Sequence, residues 1–453
     1  MIFTNFSFVL FFILYFFLNS FLPRKYHKYL LFFSNIIFVL FSGWRSLLIV
    51  SSVTIFNFFC GRNKNQLLLI VCISFDVLVL VYFKYFSNFF PVGISFYIFT
   101  LISYLVDIQK QEELPEKDLI SFSNFVLYFP KFVSGPIEKK STFYKQVELN
   151  EKLSFSNIQS GVLLFIFGFF KKVCIANRLQ VYVDKIFDNL QDFGGLSLLF
   201  AICFYSILIF CDFSGYTDMA LGVAKVFGIE LTQNFVNPYS ASSISDFWHK
   251  WHISLSSWLR NYIYIPLGGN RKGLFRKCIN ICITFLVSGF WHGSTVSFII
   301  WGMFHGILQI IELLLKNPLS KINIKVRHMM TLILIGISWI FFRVNKLNDI
   351  VVFFHNLFDL SYYTKQSMVS AITGINFSTY NNMTPTFFLN FNLLLSIIFL
   401  YVCSKIEIRK NCKITTLVID LSWKYRVFFC CLLFFFICSV GLFDSTRFIY
   451  AAF

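Results

Sequence analysis

From Phe3 to Phe443 the chain returns repeatedly to apolar runs, many about as long as a helix needs to cross a hydrocarbon layer, roughly 20 residues. Only short links separate most of them. Such a chain has few options: inside a bilayer every backbone N–H and C=O must be satisfied by protein, so the runs become helices packed on one another. Hydrophobic residues make up 57% and charged residues 13% of the 453, the latter about half the usual share. The sequence therefore describes an all-α polytopic membrane protein rather than a soluble domain with an anchor. The 64 phenylalanines are read as compositional bias, not as a binding feature.

The runs fall at 3–22, 29–42, 45–60, 66–90, 160–177, 195–211, 276–290, 294–315, 329–343, 388–404 and 425–443. They give ten or eleven full spans in one unit over 1–453: N-terminal spans in 1–90, a core in 91–315 and C-terminal spans in 316–453. The first run is too long for a signal-peptide core and is expected to stay as the first span. Between 91 and 139, Pro91, Gly93, Pro130, Gly135 and Pro136 interrupt apolar sequence. Breaks of that kind survive at membrane depth only where protein or a water-filled cavity satisfies the backbone, so re-entrant pieces beside a cavity in the bilayer are expected. The polar segment from Thr364 to Thr386 reads as an exposed excursion.

A net charge of +17 would suggest a nucleic-acid partner for a soluble protein. Here the accumulation of Lys and Arg in cytoplasmic loops accounts for it, and no nucleic acid is expected. The basic links Arg24–Lys28 and Gly61–Lys64 then face the cytoplasm and the N-terminus lies outside. The twelve cysteines contain no CxxC pair and several sit in apolar runs, where a thiol is a small hydrophobe. Neither a disulfide nor a metal site is expected.

The chemistry concentrates in DFWHKWHISLSSWLRNYIYIPLGGNR, residues 246–271, and in Gly289–Gly293. Together they hold three Trp-His steps: Trp248-His249, Trp251-His252 and Trp291-His292. Capped by Ser243 or Ser245, a helix to about Tyr264 would carry Trp248, Trp251, Leu255 and Trp258 on one flank and His249, His252 and Ser256 on another. A buried histidine can simply be a neutral, hydrogen-bonded core residue. Imidazole is also the side chain best poised to move a proton near neutral pH, and His252 and His292 are the two candidates. No GxSxG elbow is present to support a serine acyl-enzyme. Asp212 and Asp218 beside apolar sequence are either partnered structural groups or substrate-facing ones, because a lone buried carboxylate is costly. Arg271, Lys272, Arg276 and Lys277 either follow the positive-inside bias or form a mouth that attracts a phosphate-bearing donor.

Four segments carry a resemblance: PVGISFYIFTLISYLVDIQ (91–109), FPKFVSGPIEK (129–139), residues 211–273 from Cys-Asp-Phe-Ser-Gly-Tyr to the Gly-Gly-Asn-Arg-Lys-Gly turn, and SGFWHG (288–293). In order and spacing they resemble the membrane-bound O-acyltransferase (MBOAT) superfamily, in its bacterial alginate O-acetylase-like branch. The resemblance implies a ring of tilted helices around a tunnel, with an acyl donor entering from the cytoplasm and an acceptor from outside. It implies that His292 is catalytic and that His252 orients or assists it, with His249 peripheral. Trp251, Tyr216, Asp212, Arg260 and Trp291 would support the tunnel. Arg260-Asn261-Tyr262 departs from the Arg-Asp-Tyr usual in the family, which puts a local Arg–Asp pairing in doubt.

The expected activity is transfer of an acyl group, with acetyl the first choice, from acetyl-coenzyme A or an acyl-carrier phosphopantetheine. The acceptor would be a hydroxyl of an extracytoplasmic glycan or a separate periplasmic or membrane-anchored acetyltransferase. No bound cofactor is expected, and the location implied is the bacterial cytoplasmic membrane, surrounded by lipid. D-alanyl transfer to teichoic acid is the alternative within the family. A transporter using the same tunnel without chemistry is the alternative outside it.

Overall fold

A computed structural model describes residues 3–63, 65–148, 153–363 and 386–443. The polar segment 364–385 lies outside the described residues. Among these residues every regular element is helical. The N-terminal runs give α1 (Phe6–Phe21), α2 (His27–Leu40), α3 (Trp44–Gly61) and α4 (Gln66–Val81), the last running on through a π turn to Phe86. Next come α5 (Ile94–Gln109) and three short pieces, α6 (Leu119–Val126), α7 (Phe129–Phe132) and α8 (Lys140–Glu148). Helix α9 (Phe155–Phe170) passes through a π segment, Lys171–Ala176, into α10 (Asn177–Phe187), and α11 (Leu196–Val226) follows. The central block forms α12 (Ile244–Lys250) and α13 (Ile253–Leu259). After it stand α14 (Gly273–His292), α15 (Val296–Leu314), α16 (Lys316–Ser320), α17 (Ile324–Arg343) and α18 (Leu347–Phe358). The chain closes with α19 (Thr386–Lys410), α20 (Ile414–Asp420) and α21 (Trp423–Val440).

Among the described residues nine helices are long and apolar enough to cross a membrane, with α9 and α10 counting as one of 33 residues. The first two runs make shorter helices of 16 and 14 residues. At 1.5 Å per residue α1 is about 24 Å long, a little under a hydrocarbon core of about 30 Å. Large apolar side chains such as Leu14, Phe21, Leu78 and Phe434 stand exposed around the outside, as a lipid-facing surface requires.

Helix α5 lies at the centre. Every side chain on it except Val106 and Gln109 is buried, so it is covered on all sides, the expected place for a helix with no polar face. Gly93 starts it in the left-handed conformation at φ 77°, and a Cβ there would stand 2.4 Å from the Phe132 carbonyl oxygen. A larger residue would push α5 away from α7.

Helices α9 and α11 make the closest long contact. Gly161 faces Gly222 and Gly168 faces Gly215, and a Cβ at either member of each pair would fall 2.5–2.7 Å from the partner's carbonyl oxygen. Small residues at this spacing let two backbones meet, and close van der Waals packing supplies the attraction that lipid does not. That approach brings the lysines of the π segment against the carboxylates of α11. Lys172 Nζ reaches Asp212 at 2.5 Å, and Asp218 takes Lys171 at 2.6 Å and Lys413 at 2.8 Å. Of the two readings left open for these carboxylates, the structure shows the partnered one. Arg178 Nε and Asn177 Nδ2 donate to the carbonyls of Val440 and Leu442 at 2.5 and 2.7 Å, tying the C-terminal end of α21 to the same region.

The expectation of no disulfide is overturned. Cys60, at the end of α3, is joined to Cys72 of α4 as a disulfide. The two stand 12 residues apart across a helical turnaround, a pairing that only the packing of α3 on α4 reveals.

Removing one partner of a buried pair strands the other charge. Asp218→Leu should therefore cost about 3–5 kcal/mol. Lys413→Met leaves Lys171 on Asp218 and should cost distinctly less. Heat unfolding in detergent compares them, and equal losses would show that Asp218 is not held as a shared counter-ion.

Candidate active site

The polar stripe of the central block suggests one helix, but the structure breaks it. Trp251 is extended and His252 is left-handed at φ 44°, ψ 54°, between α12 and α13. A non-glycine residue in that region is strained and persists only when its surroundings hold it. They do so through Asn234, itself wholly buried. Its backbone carbonyl accepts from Ile253 N at 3.0 Å and its Oδ1 from Ser254 N at 3.1 Å, while Val236 N donates to Lys250 O at 3.1 Å. Glu138 anchors the same extended strip by accepting from the backbone N and hydroxyl of Thr232. Periodicity cannot announce a partner twenty residues upstream. Ser243 is the cap, its hydroxyl accepting from Asp246 N at 3.0 Å.

The break separates the histidines. His249 stays at the surface side of α12 with its ring on the Ser245 carbonyl at 2.7 Å. His252 turns inward and is fully buried, its ring 4.8 Å from Phe213, 6.3 Å from Phe96 and 6.1 Å from Trp291. His292, the last residue of α14, is buried against Trp291 and Trp301, both at 4.8 Å, and Phe342 at 5.3 Å. Both expected histidines thus meet on the indole of Trp291.

Helix α5 supplies the floor. Trp291 Nε1 donates to Ser95 O at 3.4 Å and Trp258 Nε1 to Phe99 O at 3.0 Å, with the Phe99 ring stacked on Trp258. From the other side Trp251 packs on Phe235, Phe247 and Trp339. Of the eight tryptophans, Trp248, Trp251, Trp258, Trp291, Trp301 and Trp339 are buried in this cluster, and Trp44 and Trp423 are exposed. The end of α14 is gripped from α4: Lys84 Nζ donates to the Trp291 carbonyl, and Tyr85 Oη to the Phe290 carbonyl at 2.7 Å and Gly293 at 3.3 Å.

A cavity of about 910 Å³ opens beside the cluster, lined by Trp248, His249, Arg260, Lys277, Lys316 and Arg327 among others. Four cations against one carboxylate, Glu312, leave the lining net positive, which suits a ligand with several negative charges. Of the basic patch read from the sequence, Lys277 lines it, Arg276 reaches toward the Leu267 carbonyl, and Arg271 and Lys272 lie exposed on the glycine-rich turn. Arg260 joins the lining, whereas Tyr216 stacks on Phe3 at 4.8 Å and Asp212 pairs with Lys172. Tyr262, next to the position where the family pattern is broken, donates to both oxygens of Asp107.

Trp248 links the cavity to the buried rings. Its Nε1 donates to Nδ1 of His305 at 3.3 Å, and Trp301 lies between His305 (5.0 Å) and His292 (4.8 Å). Neither Lys84 nor His305 was singled out by motif. Each was visible as an ionisable residue inside an apolar run, which is a functional signal by itself. Among the described residues no group of three His, Cys, Asp or Glu side chains is arranged to hold a metal ion.

Comparison with known sequences places the chain among characterised relatives. The profile of MBOAT, the membrane-bound O-acyltransferase family, matches residues 5–347. The probable alginate O-acetylase AlgI of Pseudomonas putida is 34% identical over 394 residues, covering 79% of this chain and 80% of that protein. The peptidoglycan O-acetyltransferase of Helicobacter pylori is 31% identical over 396 residues, 74% and 75% of the two chains. The teichoic acid D-alanyltransferase of Bacillus subtilis is 29% identical over 229 residues, 48% and 57%.

The clamp on α14 can be tested without any substrate. Lys84→Met removes one hydrogen bond, worth about 1 kcal/mol. Amide exchange at residues 289–293 should then quicken by about five-fold, the factor that energy corresponds to. Exchange mass spectrometry at peptide level reads this, and unchanged protection would show that Lys84 does not hold the helix end.

Proposed function

The chain belongs to the membrane-bound O-acyltransferase family and is a multi-pass membrane O-acyltransferase, and on that premise we propose that it moves acetyl from a cytoplasmic thioester to a hydroxyl on the far side of the bacterial cytoplasmic membrane. The observation that carries this reading is the juxtaposition of a cation-lined cavity with a buried histidine, separated by two indole rings. Acetyl-coenzyme A or an acyl-carrier phosphopantetheine suits such a cavity: the phosphates meet Arg260, Lys277, Lys316 and Arg327, and the thin arm points inward. The apolar rings then exclude water from the thioester, which favours transfer over hydrolysis.

In this reading His292 is the general base. The acceptor oxygen attacks the thioester carbonyl carbon as His292 takes the hydroxyl proton. The C–O bond forms, the C–S bond breaks, and the departing sulfur receives the proton back from His292. His252 touches the other side of Trp291 and steadies the site, its strained backbone fixing where the ring stands. Trp251 and Trp291 shape the chamber, and the Lys172–Asp212 pair braces α11 behind it. The acceptor is a glycan hydroxyl or a separate periplasmic or membrane-anchored acetyltransferase that finishes the reaction. The names of the alginate and peptidoglycan O-acetyl relatives support acetyl as the group, and the more distant D-alanyl relatives leave the carrier protein as a donor to be tried.

Thioester consumption by purified protein in lipid decides the matter. His292→Ala should lower it by at least about 10²-fold, the lower end for a general base, with the melting temperature retained. His252→Ala should lower it less. Activity with an acyl-carrier thioester but with no acyl-coenzyme A would reassign the donor. If wild type leaves every thioester intact, the enzymatic role given to His292 fails.

A further inference from the structure

We propose that His305 is a third working histidine, with a task different from the other two: its Nε2–H binds the carbonyl oxygen of the acyl donor and holds the charge that gathers there. The inference rests on the acyl-transfer reading above and adds the group that activates the electrophile.

The argument starts from one hydrogen bond. An indole N–H can only donate. Because Trp248 Nε1 donates to His305 Nδ1, Nδ1 offers its lone pair and the proton of the neutral ring sits on Nε2. That choice of tautomer follows from the bond the other nitrogen makes. His305 is wholly buried, and its Nε2 has no hydrogen-bond partner among the described residues. A buried N–H without an acceptor is rare and asks for an explanation. The tautomer also removes His305 as a rival base, since neither nitrogen has a lone pair to spare.

Its place in the fold supplies the acceptor. Trp248, bonded to one edge of His305, lines the donor cavity. Trp301, 5.0 Å from His305, is the ring that packs on His292. Phe285 and Phe304, each 6.1 Å away, close other sides. An acyl group travelling from the cavity toward His292 passes this imidazole, in surroundings where a fixed donor is worth far more than in water. As the acceptor oxygen attacks, the carbonyl π pair moves onto oxygen and is held by Nε2–H while His292 takes the acceptor's proton. The pair then returns, the C–S bond breaks, and the sulfur leaves with its electrons and that proton. His305 gains and loses nothing.

The test uses full-length protein in lipid nanodiscs, with His305→Leu and His305→Gln beside wild type. Two quantities are measured: acetyl-coenzyme A turnover, and affinity for coenzyme A and for the ketone analogue in which a methylene replaces the thioester sulfur. His305→Leu should lower kcat by about 10²–10³-fold, the usual loss for one such donor. Coenzyme A should still bind as in wild type, and the extra affinity of the ketone over coenzyme A should vanish. Gln retains an N–H and should recover part of both. A kcat near wild type in His305→Leu, or a parallel loss of coenzyme A binding, would overturn the assignment. So would a wild type with no preference for the ketone. Wild type that neither consumes acetyl-coenzyme A nor binds it would fail the donor reading itself, and this one with it.

Discussion

Everything near the histidines depends on one requirement: polar groups released by a broken helix must be bound again within the protein. The break at Trp251–His252 is what turns an imidazole inward, and it exists because Asn234 takes up the freed backbone N–H groups of Ile253 and Ser254. Asn234 sits on a strip fixed by Glu138, and Glu138 belongs to the Pro-Gly segment that α5 rests against. Remove any of these and the left-handed residue has no reason to stay left-handed. The strain at His252 is therefore supported by contacts drawn from three separate stretches of the chain.

The spans were legible because apolar length is a local property. All eleven runs became helices, and most departures were in extent. The run at 160–177 grew into 155–187 and that at 195–211 into 196–226. The second run stops short at Asp212 and Asp218, charges that look like a boundary until their partners are known, while the first already holds Lys171 and Lys172 and grows at both ends. The candidate histidines could be picked from residue type and context. What could not be read was which polar residue answers which: Asn234 for the break, Lys84 for the end of α14, Trp248 for His305. Those pairs lie 20 to 207 residues apart, and no periodicity links them. Cys60 and Cys72 fall under the same rule.

The outer parts of the chain also contribute to the site. Lys84 and Tyr85, from the N-terminal spans, fix the carbonyls around Trp291, and α5 presents the surface on which two tryptophans lie. From the C-terminal side, Lys413 supplies a second cation to Asp218, and the carbonyls of Val440 and Leu442 bind Arg178 and Asn177. The family profile ends at residue 347, so this second bracing comes from sequence beyond the matched region.

The crowding of indoles has an optical consequence. Six of the eight tryptophans surround the histidines and two lie at the surface. Most of the intrinsic fluorescence therefore originates from one chamber. With Trp44 and Trp423 changed to phenylalanine, the remaining emission would report on that chamber alone. The protein carries its own dye, already placed where a ligand would arrive.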